Sequence, residues 1–217
     1  MEEGGFIGVK KQDKAYEIEK KYGYCSEELY TSAFYNARPE QFFTFYRNEM
    51  LNFAPQLTSS GPAMAQLEKN GHLHCIITSN IYDIPRRGGC QNVINLHGTI
   101  YENQCPRCKK NYPLEYIKNS KRTVPLCEKC NIPVRPLVSL FGEMVDSQRM
   151  TKTTLEISKA DTLLLLGTTL DSEVFSHYIK YFTGQWLVII HRKKHFRDSS
   201  ANMVILDHPM NVLEKLK

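Results

Sequence analysis

The feature that most restricts what this chain can fold into is a pair of Cys-x-x-Cys turns. Cys105/Cys108 and Cys127/Cys130 are separated by 18 residues. Each turn holds two thiolates on one side of a tight knuckle, and two knuckles complete a tetrahedron of soft ligands. Four protein ligands leave no open position, so the expected ion is a structural Zn2+ rather than a catalytic one. The surrounding stretch, about residues 99–137, is rich in Lys, Pro and Asn and poor in core-forming side chains. Burial alone would hold it weakly, whereas a metal tying two knuckles together would hold it well. Seven cysteines is an odd count, which argues against a closed disulfide framework and suits a reducing compartment. Cys25, Cys75 and Cys90 are left as ordinary thiols.

Around this segment the pattern is different. Short β-branched or Leu-rich runs, bounded by turn residues, occur at 72–78, 163–166, 186–190 and 203–206. Runs of this kind suit buried strands of a parallel sheet. Helical stretches are expected at about 147–159, 173–183 and 209–216, and most of 26–70 reads as helical. Pro39 fits the first turn of one helix, and Pro62 fits the start of another that ends near Gly71. Alternating strands and helices predict an α/β fold with right-handed crossovers. A length of 217 residues allows one domain plus a small module at ~150 residues per domain.

Several classes are excluded or disfavoured. The longest apolar run, 186–190, is far too short to cross a bilayer. The start, Met1-Glu2-Glu3-Gly4-Gly5, has neither the basic nor the apolar region of a secretory signal. Net charge is +5, and the basic residues are scattered apart from short clusters at 118–122 and 192–194. No nucleic-acid or membrane partner is expected from that distribution, and a cytoplasmic location is the default.

Ligands of open α/β sheets bind beyond the carboxyl ends of the strands. Two strands end in small polar residues, Thr78-Ser79-Asn80 and Gly167-Thr168-Thr169. Such residues admit a phosphate or ribose closely and donate hydrogen bonds, although Gly-Thr-Thr also suits a plain turn. His97 lies where the sheet region meets the cysteine segment, and its ordinary pKa near ~6.5 suits a general base as well as a structural role. The extended stretch 137–140 runs into Phe141-Gly142-Glu143, which fits either a strand that pairs with a peptide or a surface turn.

The ordered set resembles the sirtuin family. The family runs Thr-Gln-Asn-Ile-Asp, Leu-His-Gly, two CxxC pairs, Phe-Gly-Glu and Gly-Thr-Ser. This chain has Thr78-Ser79-Asn80-Ile81-Tyr82, Leu96-His97-Gly98, Cys105/Cys108/Cys127/Cys130, Phe141-Gly142-Glu143 and Gly167-Thr168-Thr169. The resemblance covers about residues 37–217. It implies a Rossmann-like parallel sheet with an inserted zinc-ribbon module and a helical segment. The NAD-binding domain would comprise 1–98 and 138–217, with a helical insertion at about 26–70 and the zinc module at 99–137.

The implied activity is that of an NAD-dependent protein-lysine deacylase, a transferase that moves the acyl group to ADP-ribose and releases nicotinamide. Its implied partner is an acyl-lysine protein or peptide. By resemblance, His97 is the general base on a ribose hydroxyl, and Asn80 is catalytic and lines the nicotinamide-ribose site. Ser79, Tyr82, Gly167, Thr168, Thr169 and His191 are implied cofactor-binding positions. Val138, Phe141, Gly142 and Glu143 are implied to hold the substrate, and the four cysteines to hold Zn2+.

Five departures bear on this, four at single residues and the largest at the start. Ser79 replaces the family's glutamine, Tyr82 its aspartate and Thr169 its serine, and His191 stands where an asparagine is usual. Asp83 lies one position beyond the family's aspartate. Gly5-Phe6 aligns with the Gly-Ile that precedes the family's Pro-Asp-Phe-Arg, so Ile7, Gly8, Val9 and Lys10 replace that stretch, and the glycine loop would fall before Met1. Two alternatives follow: a catalytically impaired peptide-binding module, and an NAD-hydrolysing or ADP-ribosylating variant.

Overall fold

A computed structural model describes residues 12–52 and 55–216. The substitutions at residues 7–10 lie outside them. The elements run α1 (Gln12–Tyr22), α2 (Ser26–Leu29), α3 (Ser32–Ala37) and α4 (Pro39–Phe45), followed by a π-helical turn (Tyr46–Leu51) and α5 (Ser60–Lys69). Next come β1 (Ile76–Thr78), α6 (Ile84–Arg87), β2 (Val93–Asn95), β3 (Gly98–Gln104), β4 (Asn111–Tyr112), α7 (Leu114–Lys118) and β5 (Arg135–Val138). The chain then passes through α8 (Ser147–Lys159), β6 (Thr162–Leu166), α9 (Ser176–Ile179) and β7 (Trp186–His191). It ends with a 3-10 turn (Phe196–Ser200), β8 (Met203–Leu206) and α10 (Pro209–Leu216). No described helix is long and apolar enough to cross a membrane.

The chain divides into two units. The first holds the described residues up to Gln56, with Asn80–Asp83 and His97–Val145. The second holds Leu57–Ser79, Ile84–Leu96 and the described residues from Asp146 onward. The helical stretch 26–70 is thus shared between the units, its part up to Gln56 going with the cysteine segment.

In the first unit, helix signals and aromatic packing act together. The Thr31 hydroxyl accepts from the Phe34 amide at 3.0 Å and caps α3, while Pro39 occupies the first turn of α4. Phe42, Phe43, Phe45 and Tyr46 are all fully buried. Tyr35 meets Phe42 edge-on at 5.2 Å, and Phe42 stacks on Tyr46 at 5.5 Å. Arg47, in the π turn, donates to the carbonyls of Ile117 and Arg122, at 2.8 and 3.0 Å. Those bonds tie the helices to the cysteine segment. That segment folds on an antiparallel sheet of order β4-β3-β5.

The second unit contains the parallel strands that the apolar runs predict. β1 pairs with β2, and β6, β7 and β8 form a second parallel ladder in register. Ile189 and Ile190 of β7 are buried. Val93 of β2 joins Ala63, Met64 and Leu213 in one apolar cluster, against which Ile76, Leu164 and Leu166 pack. Gly61 and Gly88 let α5 and α6 approach closely, since a Cβ on Gly88 would lie 2.5 Å from the Gly61 Cα.

The expected helix at 173–183 is realised as α9 flanked by tight turns. Tyr181 and Phe182 donate to the carbonyls three residues back, at 3.0 and 2.9 Å. Gly184 follows with no room for a side chain, because a Cβ there would sit 2.3 Å from the Ala160 carbonyl oxygen.

Candidate functional site

The cysteine knuckles are two copies of one turn. Lys109 donates to the Cys105 carbonyl at 3.0 Å, and Asn131 to the Cys127 carbonyl at 2.8 Å. Lys109 and Asn131 both adopt left-handed backbone, with φ of 61° and 54°. Amide N–H groups of Cys108 and Cys130 point at the first sulfur of their own knuckle, at 3.5 and 3.4 Å. All four sulfurs lie within 4.8 Å of one another, and Cys108 and Cys127 are 3.7 Å apart. A tetrahedral zinc with ~2.3 Å bonds to sulfur needs edges of ~3.8 Å. The donor set and spacing therefore fit that ion.

Tyr112 completes this cluster, and nothing in the sequence marked it. Its hydroxyl donates to Cys127 Sγ at 3.2 Å and accepts from the Glu128 amide at 3.1 Å. The Tyr112 hydrogen bond, helped by backbone N–H groups and opposed by burial, brings the Cys127 thiol down to about 6. Burial, together with the neighbouring cysteines, pushes Cys130 up to about 12. One thiolate is thus stabilised by the protein itself, as a second-sphere donor does at a metal ligand.

Segment 80–83 belongs to the first unit. The Asn80 side-chain oxygen accepts the Tyr82 amide at 2.6 Å, a local turn that fixes the asparagine. The Ile81 carbonyl accepts from the Ile100 amide at 3.0 Å, which ties the segment to β3. Tyr82 is buried, and Asp83 follows with φ of 50°, a conformation aspartate tolerates. The tyrosine that replaces the family's aspartate therefore packs into the interior, and the next residue carries the carboxylate.

His97 is half-buried and immediately precedes β3. Its carbonyl accepts from the Ser139 amide at 2.8 Å, and Gly98 pairs with Val138 across the β3–β5 ladder. The candidate base and the candidate substrate strand are thus joined by backbone bonds. Val138 itself is buried, so its side chain faces the core. Phe141, Gly142 and Glu143 are exposed. The Phe141 amide donates to the Tyr30 carbonyl at 3.0 Å, and its carbonyl accepts from the Ser32 amide at 3.1 Å.

The second unit carries the remaining candidates. Gly167 and Thr168 follow β6, and the Gly167 amide donates to the Ile190 carbonyl of β7 at 2.8 Å. Gly167 has φ of 63°, which favours glycine. Thr168, Thr169 and Ser79 are half-buried. Ser79 directly follows β1. These residues lie at carboxyl ends of parallel strands, where open α/β sheets take ligands. His191 ends β7 and is buried, its Nε2 3.1 Å from Asp198 Oδ2. The His195 amide and the His191 ring hold the Asp198 carboxyl below its usual range despite burial. The His191 ring is therefore engaged inside the protein.

Comparison with known proteins settles the family. A sequence profile of the Sir2 family matches residues 10–174. The chain belongs to the Sir2 family. An NAD-dependent protein deacetylase of Clostridium acetobutylicum is 33% identical over 98% of this chain and 86% of its own length. One from Clostridium perfringens is 36% identical over 89% of this chain and 79% of its own. Among solved structures, a sirtuin from work on substrate affinity superposes with a TM-score of 0.87 at 26% identity, covering 99% of this chain and 88% of that one. A Sir2 bound to acetylated peptide superposes with a TM-score of 0.78 at 26% identity, covering 92% of this chain and 87% of that one.

Proposed function

We propose that this sirtuin is an NAD-dependent protein-lysine deacetylase that transfers the acyl group to ADP-ribose and releases nicotinamide. The backbone bond from Ser139 to the His97 carbonyl supports this reading most, because it couples the candidate base to the strand that would hold an acyl-lysine peptide. NAD, when bound, supplies the ribose acceptor. His97 would take a proton from a ribose hydroxyl of bound NAD, and Asn80, its side-chain oxygen fixed by the Tyr82 amide, would line the ribose site. Gly167 and Thr168 contribute an unobstructed backbone and a hydroxyl at the end of β6. The stretch that ends in β5, rather than the turn that follows it, would supply main-chain pairing for an extended substrate. The four cysteines would hold a structural zinc and so keep the β4-β3-β5 sheet together.

The test is His97→Ala assayed for nicotinamide release with an acetyl-lysine peptide. The rate is expected to fall at least ~100-fold, within the range of general-base contributions, with unchanged zinc content and circular dichroism. A rate within about twofold of the parent would remove His97 as the base.

A further inference from the structure

Glu143 reads from the sequence as a substrate contact, yet its carboxylate is already engaged. Arg135 Nη2 donates to both Glu143 oxygens, at 2.6 and 2.7 Å, and the Leu140 amide donates to one of them at 2.8 Å. The Glu143 amide returns a bond to the Leu140 carbonyl at 3.1 Å. Residues 140–143 thereby close into a tight turn. Gly142, at φ of 84°, takes the position that demands positive φ, and Ser32 Oγ would sit 3.5 Å from a Cβ there, which is ordinary contact. The backbone, not crowding, selects glycine.

Arg135 is equally committed. Its guanidinium lies over the Tyr35 ring at 5.0 Å and donates to the Pro136 carbonyl at 2.6 Å. Its side chain is only 18% exposed. The pair spans β5 from its first residue to the turn beyond its end. Charge-assisted bonds in a partly buried setting are the strong ones, and a planar guanidinium sets orientation as well as distance.

We infer that Arg135 and Glu143 are a positioning pair: together they hold turn 140–143, and with it the peptide edge, in register with His97. Neither residue touches the substrate. This rests on the deacetylase reading, since it names what that peptide edge needs in order to work.

The test uses Glu143→Gln, Arg135→Gln, Arg135→Lys and the Gln/Gln double variant of the full chain. Each single variant should raise the KM for an acetyl-lysine peptide about tenfold, keep kcat at saturating peptide within about twofold, and leave the KM for NAD unchanged. Arg135→Lys keeps the charge but loses the second nitrogen, which bonds the Pro136 carbonyl, so it should fall between parent and Arg135→Gln. The double variant should be little worse than either single one, because both remove the same contact.

A direct substrate contact by Glu143 would show otherwise: Glu143→Gln would penalise peptides with a basic neighbour to the lysine, and Arg135→Gln would not reproduce it. Equal losses in peptide KM, NAD KM and kcat would mean a general structural role and would also overturn the proposal. Amide hydrogen exchange provides an arm independent of activity. Exchange at residues 139–143 should accelerate in Glu143→Gln while the cysteine knuckles stay protected. Unchanged exchange there overturns the clamp even if the parent is active. Faster exchange in Glu143→Gln, together with a parent that turns over no acetyl-lysine peptide, removes the deacetylase reading instead.

Discussion

The cysteine segment and the β6–β8 ladder solve the same problem by opposite means. Around the knuckles, β4 is two residues long and α7 five, and only a few apolar side chains, Ile100, Ile117 and Val134 among them, are fully buried. Four sulfurs within 4.8 Å of one another would, with zinc bound, supply the rest. The ladder has no such centre. It depends on in-register parallel pairing and on Ile189 and Ile190, which are buried. A segment stabilised by ligation fails all at once when the ligand is taken, whereas a segment stabilised by burial fails in proportion to the apolar area lost.

The largest break in this contrast should come from metal removal. A zinc-specific chelator is expected to strip about one ion per chain and to abolish exchange protection across residues 105–131, since structural zinc can contribute ~10 kcal/mol or more. Protection in β6–β8 should persist. Hydrogen exchange by mass spectrometry reads both regions in one experiment. Loss of protection in both at equal chelator concentration would end the distinction.

A smaller, local effect is expected from Ile189→Ala. Removing a fully buried isoleucine side chain should cost ~4 kcal/mol, read as a lower denaturant midpoint, with zinc content unchanged. A matching loss of zinc would show that the two regions do not fail separately.

The smallest effect sharpens the comparison within the first unit, where a third device operates. Glu49 is 4% exposed and receives Lys14 at 2.8 Å, Lys21 at 2.9 Å and the Tyr22 hydroxyl at 2.8 Å. Burial alone would raise its pKa, but these donors outweigh burial and bring it to about 2. A carboxyl depressed in the folded state contributes stability above its ordinary value near 4.5, and loses it as pH falls towards 2. Glu49→Gln should therefore cost about 2 kcal/mol at pH 7, less than a fully buried pair because Lys21 is half exposed. The difference from the parent should shrink between pH 4.5 and 2. A difference that is constant across that window would mean that the ion pairs contribute nothing.

What could be read in advance divides along the same line. Ligand spacing is local in sequence, so the two knuckles were legible from four cysteines. The strands at 163–166, 186–190 and 203–206 were legible because each is a continuous apolar run. β2, only Val93–Asn95, is too short to show a period, and α1 carries one fully buried residue, Ile18, among charged neighbours. Tyr112 on Cys127, Arg135 on Glu143 and Asp198 on His191 escaped because each partnership is made by folding rather than by spacing. At the candidate site, residue types were legible but their engagements were not. Val138 and His191 are turned inward, and Glu143 is held by Arg135.

The most direct test of the central claim is mass spectrometry of the zinc-loaded chain incubated with NAD and an acetyl-lysine peptide. The account predicts free nicotinamide, deacetylated peptide and O-acetyl-ADP-ribose in equal amounts. Nicotinamide without deacetylated peptide would contradict it and indicate NAD hydrolysis or ADP-ribosyl transfer, and the absence of all three from a folded, zinc-replete sample would contradict it outright.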